Sequence, residues 1–147
     1  MDLILWRHAE AEEGADDTAR RLTPKGIKQA ARMAAWLDSR VAKDARMVVS
    51  PAVRAQQTAE ALARDLSTSE QVKPGAQPGE LLGAAGWPGS TGTVIVVGHQ
   101  PTLGAAAALA LTGKAAPWRI KKAGVWWLST RGDGQPVVLA VMTTDLL

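Results

Sequence analysis

The sequence predicts an α/β sandwich built on a mostly parallel sheet, and three observations predict it. Short, continuous apolar runs rich in β-branched residues recur at 3–6, 47–49 and 94–97. Runs of this kind suit strands buried on both faces of a parallel sheet. A polar turn and a helically patterned segment follow each run, which is the alternation that marks the α/β class. The residues best suited to chemistry stand just past the ends of the runs, where ligands bind in such sheets.

The first strand is Leu3-Ile4-Leu5-Trp6, with Trp6 expected in the sheet core. Thr23-Pro24 then opens a helix, Thr as N-cap and Pro at the first helical position. Ile27, Ala30, Ala34, Leu37 and Val41 form its apolar stripe. The second strand, Met47-Val48-Val49, leads to a helix expected to be opened by Ser50-Pro51, with Ala55, Thr58, Ala59, Leu62 and Leu66 as its stripe. Residues 67–92 are rich in Ser, Pro, Gly and Gln and read as a loop with room for a short helix near Leu81-Leu82. The third strand is Val94-Ile95-Val96-Val97, followed by an Ala-rich helix over 101–111 that ends near Gly113. Runs at 125–128 and 137–141, joined across Gly132-Asp133-Gly134, predict a hairpin. No linker divides the chain, so residues 1–147 are expected to form one domain.

Composition narrows the function classes. Apolar residues make up 46% and charged residues 21%, a globular rather than disordered balance. The net charge of +3 is modest and no dense Lys/Arg run marks a nucleic-acid surface, Lys121-Lys122 being only a pair. The absence of Cys excludes a disulfide framework, a thiolate zinc site and a cysteine nucleophile. The first apolar run is too short for a secretory signal and lacks a basic leader, and no stretch reaches membrane-span length, so a cytoplasmic protein without a membrane partner is expected.

The chain holds only two histidines, His8 and His99, and both follow predicted strands. Arg7 adjoins His8, Arg54 lies one turn into the second helix, and Arg20 precedes the first helix. A neutral imidazole is a capable nucleophile toward phosphorus. The transferring phosphoryl group spreads negative charge over three oxygens, and arginine forks suit that charge. No Asp-x-Asp pair, acidic and histidine metal cluster, or Gly-rich nucleotide motif offers a rival chemistry. Ser50 is expected to cap its helix, Thr102 to touch ligand or cap backbone, Glu10 and Glu12 to be surface carboxylates, and Trp118, Trp126 and Trp127 to pack at the core or edge.

Together these segments resemble the histidine phosphatase superfamily. Leu5-Trp6-Arg7-His8-Ala9-Glu10 is similar to its Arg-His-Gly box, with Ala9 in place of Gly. Arg20-Arg21-Leu22-Thr23-Pro24-Lys25-Gly26 is similar to its Arg-x-Leu-Thr-x-x-Gly segment, residues 50–58 to its Ser-Pro-x-x-Arg-Ala-x-Gln-Thr box, and Gly98-His99-Gln100-Pro101 to its Gly-His-x-Pro box. The likeness runs in order over about residues 2–110, and the short length and Arg-His-Ala-Glu-Ala-Glu start look most like the SixA-type branch of phosphohistidine phosphatases. It implies a three-layer α/β/α sandwich of the phosphoglycerate mutase-like kind. It also implies transient phosphorylation of His8, phosphate binding by Arg7, Arg54 and His99 with Arg20 as a further contact, and neither metal nor organic cofactor.

The leaving group is the open point. Glu80 is the better placed of the two middle-region carboxylates, Glu70 and Glu80, to act on substrate as a general acid, against an ordinary role as a solvated or structural Glu. A site without such an acid suits a nitrogen-linked phosphate, hence phosphohistidine in a protein. The alternatives are a small-molecule phosphomonoester phosphatase, favoured if Glu80 works, and a non-catalytic module that binds phosphorylated ligands. A monomer is the plain expectation.

Overall fold

The computed structural model describes residues 1–147. Its elements run β1 (Asp2–Arg7), α1 (Pro24–Asp38), β2 (Arg46–Val49), α2 (Val53–Glu60), β3 (Ser67–Thr68), α3 (Pro78–Ala85), β4 (Thr93–Gly98), α4 (Thr102–Thr112), β5 (Val125–Thr130) and β6 (Pro136–Met142). The strands form one sheet in the order β3-β2-β4-β1-β5-β6. Pairs β3–β2, β2–β4 and β4–β1 are parallel, while β5 and β6 add antiparallel to the β1 edge.

Because side chains alternate across a strand, the sheet sorts its apolar residues onto two faces. Ile4, Trp6, Met47, Val49, Ile95 and Val97 pack against Met33, Ala34 and Leu37 of α1 and Ala55 and Ala59 of α2. Leu3, Leu5, Val48, Val94 and Val96 pack against Leu81 and Leu82 of α3 and Leu103, Ala106 and Ala107 of α4. This is the three-layer sandwich expected from the alternation of strands and helices. Each large side chain so buried contributes roughly 1.5–3 kcal/mol. Trp6 is fully buried, and its indole N–H donates to the Ala123 carbonyl at 3.1 Å.

Thr23 caps α1 as predicted, accepting from Gly26 N at 2.9 Å, and Gly113 ends α4 in the left-handed region. Three expectations need correction. In α1, Ala30, Ala34 and Leu37 face inward as expected, joined by Gly26 and Met33, but Ile27 is 55% exposed and Val41 is buried beyond the end of the helix. The cause is Gly26, where an added Cβ would lie 2.0 Å from the Glu10 carbonyl oxygen; this close approach sets the helix rotation. In α2, the helix starts at Val53 with Ala52 as N-cap and ends at Glu60, so Ser50 does not cap it and Leu62 and Leu66 lie beyond it. In residues 67–92 the short helix expected near Leu81-Leu82 is α3, which packs Leu81, Leu82 and Ala85 inward and ends on the left-handed Gly86, but the rest is not all loop, since β3 pairs with β2. No helix is long and apolar enough to cross a membrane.

Candidate active site

Register brings the candidate residues together. Arg7 of β1 lies opposite Gly98 of β4, and Val49 of β2 opposite Val97. The pairing continues past the strands, with His8 N donating to the Gly98 carbonyl and Ser50 N to the Val97 carbonyl, both at 3.0 Å. His8, His99 and Ser50 therefore stand at one level on the carboxyl edge, and the two imidazole centroids are 5.1 Å apart.

His8 is 9% exposed. Its Nδ1 lies 2.7 Å from the Ala9 carbonyl oxygen. A carbonyl only accepts, so Nδ1 carries the proton and Nε2 keeps the lone pair. Burial, then the charges of Arg54, Arg7 and Arg20, outweigh the Ala9 bond and push the His8 pKa down to about 4. The ring is neutral at neutral pH. The loop after it is fixed by Ala9 N, which donates to Thr58 Oγ1 at 3.0 Å, while that hydroxyl donates to the Arg54 carbonyl at 2.8 Å. Ala9 is fully buried with Leu22, Ala30 and Ala123, so its methyl group fits where the family pattern has Gly.

His99 is held from its other nitrogen. Its Nε2 is 2.7 Å from Ser50 Oγ, and Ser50 Oγ also accepts from Ala52 N at 3.2 Å. The Ser50 hydroxyl has no other acceptor for its hydrogen, so it donates to Nε2, which leaves the imidazole proton on Nδ1. Burial first, then the positive charges of the site, push the His99 pKa down to about 3. His99 is thus a neutral donor through Nδ1.

The arginines follow the same plan. Arg7 Nη1 donates to the Ile120 carbonyl at 2.9 Å. Arg54, 5% exposed, donates through Nη1 to the Asp17 carbonyl at 2.6 Å and through Nη2 to the Asp17 carboxylate at 3.2 Å. Each is tethered at its far end. Arg7 Nε, Arg54 Nε and His99 Nδ1 are buried and have no protein hydrogen-bond partner. Buried donors are nearly always satisfied, so three unsatisfied ones on residues whose charges or rings lie near His8 mark this edge of the sheet as suited to an anion.

Arg20 is near enough for its charge to act on His8, but its bonds go to the Glu12 carbonyl at 2.7 Å and to Asp17 Oδ1 at 3.1 Å. Asp17 therefore bridges Arg20 and Arg54, and the Arg20 bond leads the causes that hold its carboxyl below the usual carboxylate range. Glu80 stands exposed in the first turn of α3 and takes no part in the bonds of the site. Thr102 is spent on the Ala76 carbonyl at 2.6 Å. Glu10 accepts from the Thr23 hydroxyl at 2.8 Å. Trp118 packs on Trp126 and Trp36 on Trp127. Sequence reasoning missed two residues here: Ser50, assigned to a cap, and Asp17, one of a run of acids.

No group of His, Asp and Glu is arranged to hold a metal ion. The residues bring together one neutral imidazole with a free lone pair, one neutral donor and two guanidinium forks, a set that could hold a phosphoryl group.

Known proteins resemble this chain in sequence and in fold. The model of the histidine phosphatase superfamily (branch 1) matches residues 3–77. An uncharacterised Picosynechococcus protein is 35% identical over 136 residues, 85% of this chain and 82% of that protein. The phosphohistidine phosphatase SixA of Escherichia coli is 29% identical over 126 residues, 80% of this chain and 78% of that protein. The solved structure of the protein histidine phosphatase SixA complexed with tungstate shares the fold, with a TM-score of 0.82, 22% identity and 99% of each chain covered.

Proposed function

This chain belongs to the histidine phosphatase superfamily, and we propose that its 147 residues form one phosphatase domain that removes phosphate from histidine in a protein through a covalent intermediate on His8. The observation that carries the reading is the ring of three buried, unsatisfied nitrogens, on Arg7, Arg54 and His99, beside an imidazole whose Nε2 is unprotonated.

In the first step His8 Nε2 attacks phosphorus. The Nε2–P bond forms, the bond from phosphorus to the substrate nitrogen breaks, and the substrate imidazole, protonated on its other nitrogen, leaves neutral. Arg7 and Arg54 take the charge spread over the equatorial oxygens, and His99 donates Nδ1–H to one of them. His8 holds its Nδ1 proton on Ala9 throughout. In the second step water attacks phosphorus, the P–Nε2 bond breaks, neutral His8 returns, and the protons of water leave on phosphate and into solvent.

The substrate class follows from the carboxylates. Asp17, the carboxylate that touches the clamp, is held ionised by Arg20 and Arg54 and is no proton donor. An alkoxide leaving group needs a general acid; a protonated phosphoimidazole does not. The similarity to SixA, which bears the name phosphohistidine phosphatase, supports the same choice. In this reading Glu80 is a surface carboxylate, Arg20 acts by field and by holding Asp17, and the site uses no cofactor.

The test is phosphate release from a phosphohistidine peptide and an aryl phosphomonoester side by side. Faster turnover of the peptide, lost in His8→Ala, is expected. Preference for the monoester, together with a slowing in Glu80→Gln, would reassign the chain to small-molecule phosphomonoesters; phosphate binding without turnover would make it a binding module.

A further inference from the structure

Arg7 faces more than the phosphoryl site. Next to it opens a cavity of about 360 Å³ without an apolar residue in its wall, where Arg7, Lys25, Arg119, Lys121 and Lys122 meet two carboxylates. Both carboxylates are engaged: Glu10 with Thr23 and, at 3.9 Å, Lys122, and Asp145 with Lys121. Lys25 lies close enough for its charge to act on Asp145 without pairing with it, and Arg119 has no ion pair at all. On the other side of Arg119 a second cavity, of about 300 Å³, is walled by Gln100, Pro101, Pro117 and Trp118. Both are lined by Arg7 and Arg119, so together they make a trough that meets the phosphoryl site at Arg7. The segment carrying Arg119 is anchored rather than loose. Gln100 Nε2 donates to the Trp118 carbonyl at 3.0 Å, and a Cβ on Gly104 would lie 1.7 Å from that same carbonyl oxygen.

A lone phosphoimidazole fills neither cavity. An excess of exposed cations along a fixed strip, bordered by an apolar wall of Pro and Trp, has the make-up of a protein-binding rim. The charges also repel: Arg119 is among the causes that lower the Arg7 pKa, after burial, and an anion laid beside them relieves that repulsion. We infer that this trough docks a protein whose phosphohistidine is bordered by acidic side chains, with carboxylates along Arg119 and Lys25 while the phosphoryl group enters beside Arg7 and His8. The inference rests on the phosphohistidine reading above and adds the partner's surface chemistry.

The experiment uses free phosphohistidine and two phosphohistidine peptides of equal length, one flanked by Asp and Glu and one by Asn and Gln. Wild type, the double variant Arg119→Gln/Lys25→Gln, and a control, Lys43→Gln, are compared at low and high salt. Lys43 is exposed and lies before β2, at the opposite end of that strand from Ser50. In wild type and the control, KM for the acidic peptide is expected to be about fivefold lower than for the neutral one, with kcat equal. In the double variant and at high salt the gap closes, the KM for the acidic peptide rising to that for the neutral one. Equal KM values in wild type, or a gap that survives the double variant, would overturn the inference and leave the phosphohistidine reading standing. Cleavage of an aryl phosphate with none of any phosphohistidine would overturn both.

Discussion

Arg7 and Arg54 each hold a buried, unsatisfied Nε, yet the regions that hold them are opposites. Arg7 stands half-buried at the end of β1, tied to the uncharged Ile120 carbonyl and crowded by the cation of Arg119. Arg54 is buried in α2 and tied to the carbonyl and carboxylate of Asp17, in an exposed segment that carries Glu12, Glu13 and Asp16 as well. The Arg54 charge is partly neutralised and the Arg7 charge is not. One region supplies field, the other supplies fixed geometry. A binding clamp needs both, because a guanidinium recognises oxygens by its direction as well as its charge.

Removing either fork is the strongest way to break the comparison. Arg7→Ala and Arg54→Ala are each expected to lower kcat roughly 10²–10³-fold, the scale of a lost oxyanion donor. Arg7→Ala should weaken inorganic phosphate binding more, because its charge is not offset. Calorimetric titration of both variants with phosphate tests this; tighter binding by Arg7→Ala than by Arg54→Ala would reverse the assignment of field and geometry.

Acid sharpens it next. In the unfolded chain the histidines titrate near the ordinary 6.5, whereas His8 is lowered to about 4 and His99 to about 3. Between those values and 6.5 the unfolded state binds more protons than the folded one, so stability rises with pH there. Stability is therefore full above 6.5 and declines as pH falls from 6.5 toward 4 for His8, with the His99 share extending toward 3. Denaturant melts across that range should show the loss, and a His8→Gln/His99→Gln variant should show a flatter profile. Activity should hold until His8 itself protonates, near 4.

Ser50→Ala removes the group that sets the His99 tautomer. About a tenfold fall in kcat is expected, the weight of one hydrogen bond, with little change in thermal stability. Ser50→Thr, which keeps the hydroxyl, should restore most of it. An unchanged kcat in Ser50→Ala would return Ser50 to the capping role. Asp17→Ala is the gentlest break. It leaves the main-chain tether of Arg54 in place, and kcat should fall about threefold, the scale of an exposed ion pair. A fall as large as that of Arg54→Ala would mean that the carboxylate itself handles substrate.

Much of this was legible before any coordinates. His8, Arg7 and His99 follow continuous apolar runs, and the edge of a parallel sheet is a place that sequence periodicity can locate. Arg54 was legible because it follows the second strand closely, although it is the second residue of α2 rather than one turn inside it. Ser50 was misread because a hydroxyl ahead of Pro at a helix start has the same local appearance whether it caps the helix or turns toward His99, which is 49 residues away. Asp17 had no local signal either, being one exposed acid among several, bonded to an arginine 37 residues along the chain. The α1 stripe failed at Ile27 because close packing at Gly26 outranks the apolar pattern. In residues 67–92 the short helix near Leu81-Leu82 was legible as α3, which starts on Pro78 and ends on Gly86, whereas the two-residue β3 was too short to leave a pattern.

The central claim is the bond between phosphorus and His8 Nε2. Rapid mixing of the purified protein with a phosphohistidine peptide, quenching in alkali to preserve phosphoramidate, and mapping of the phosphorylated residue by mass spectrometry test it directly. Phosphate on His8 that forms and decays with turnover, and is absent together with turnover in a folded His8→Ala protein, is the predicted result. Phosphate release with no label on His8, or a folded His8→Ala protein that keeps its activity, would contradict the account.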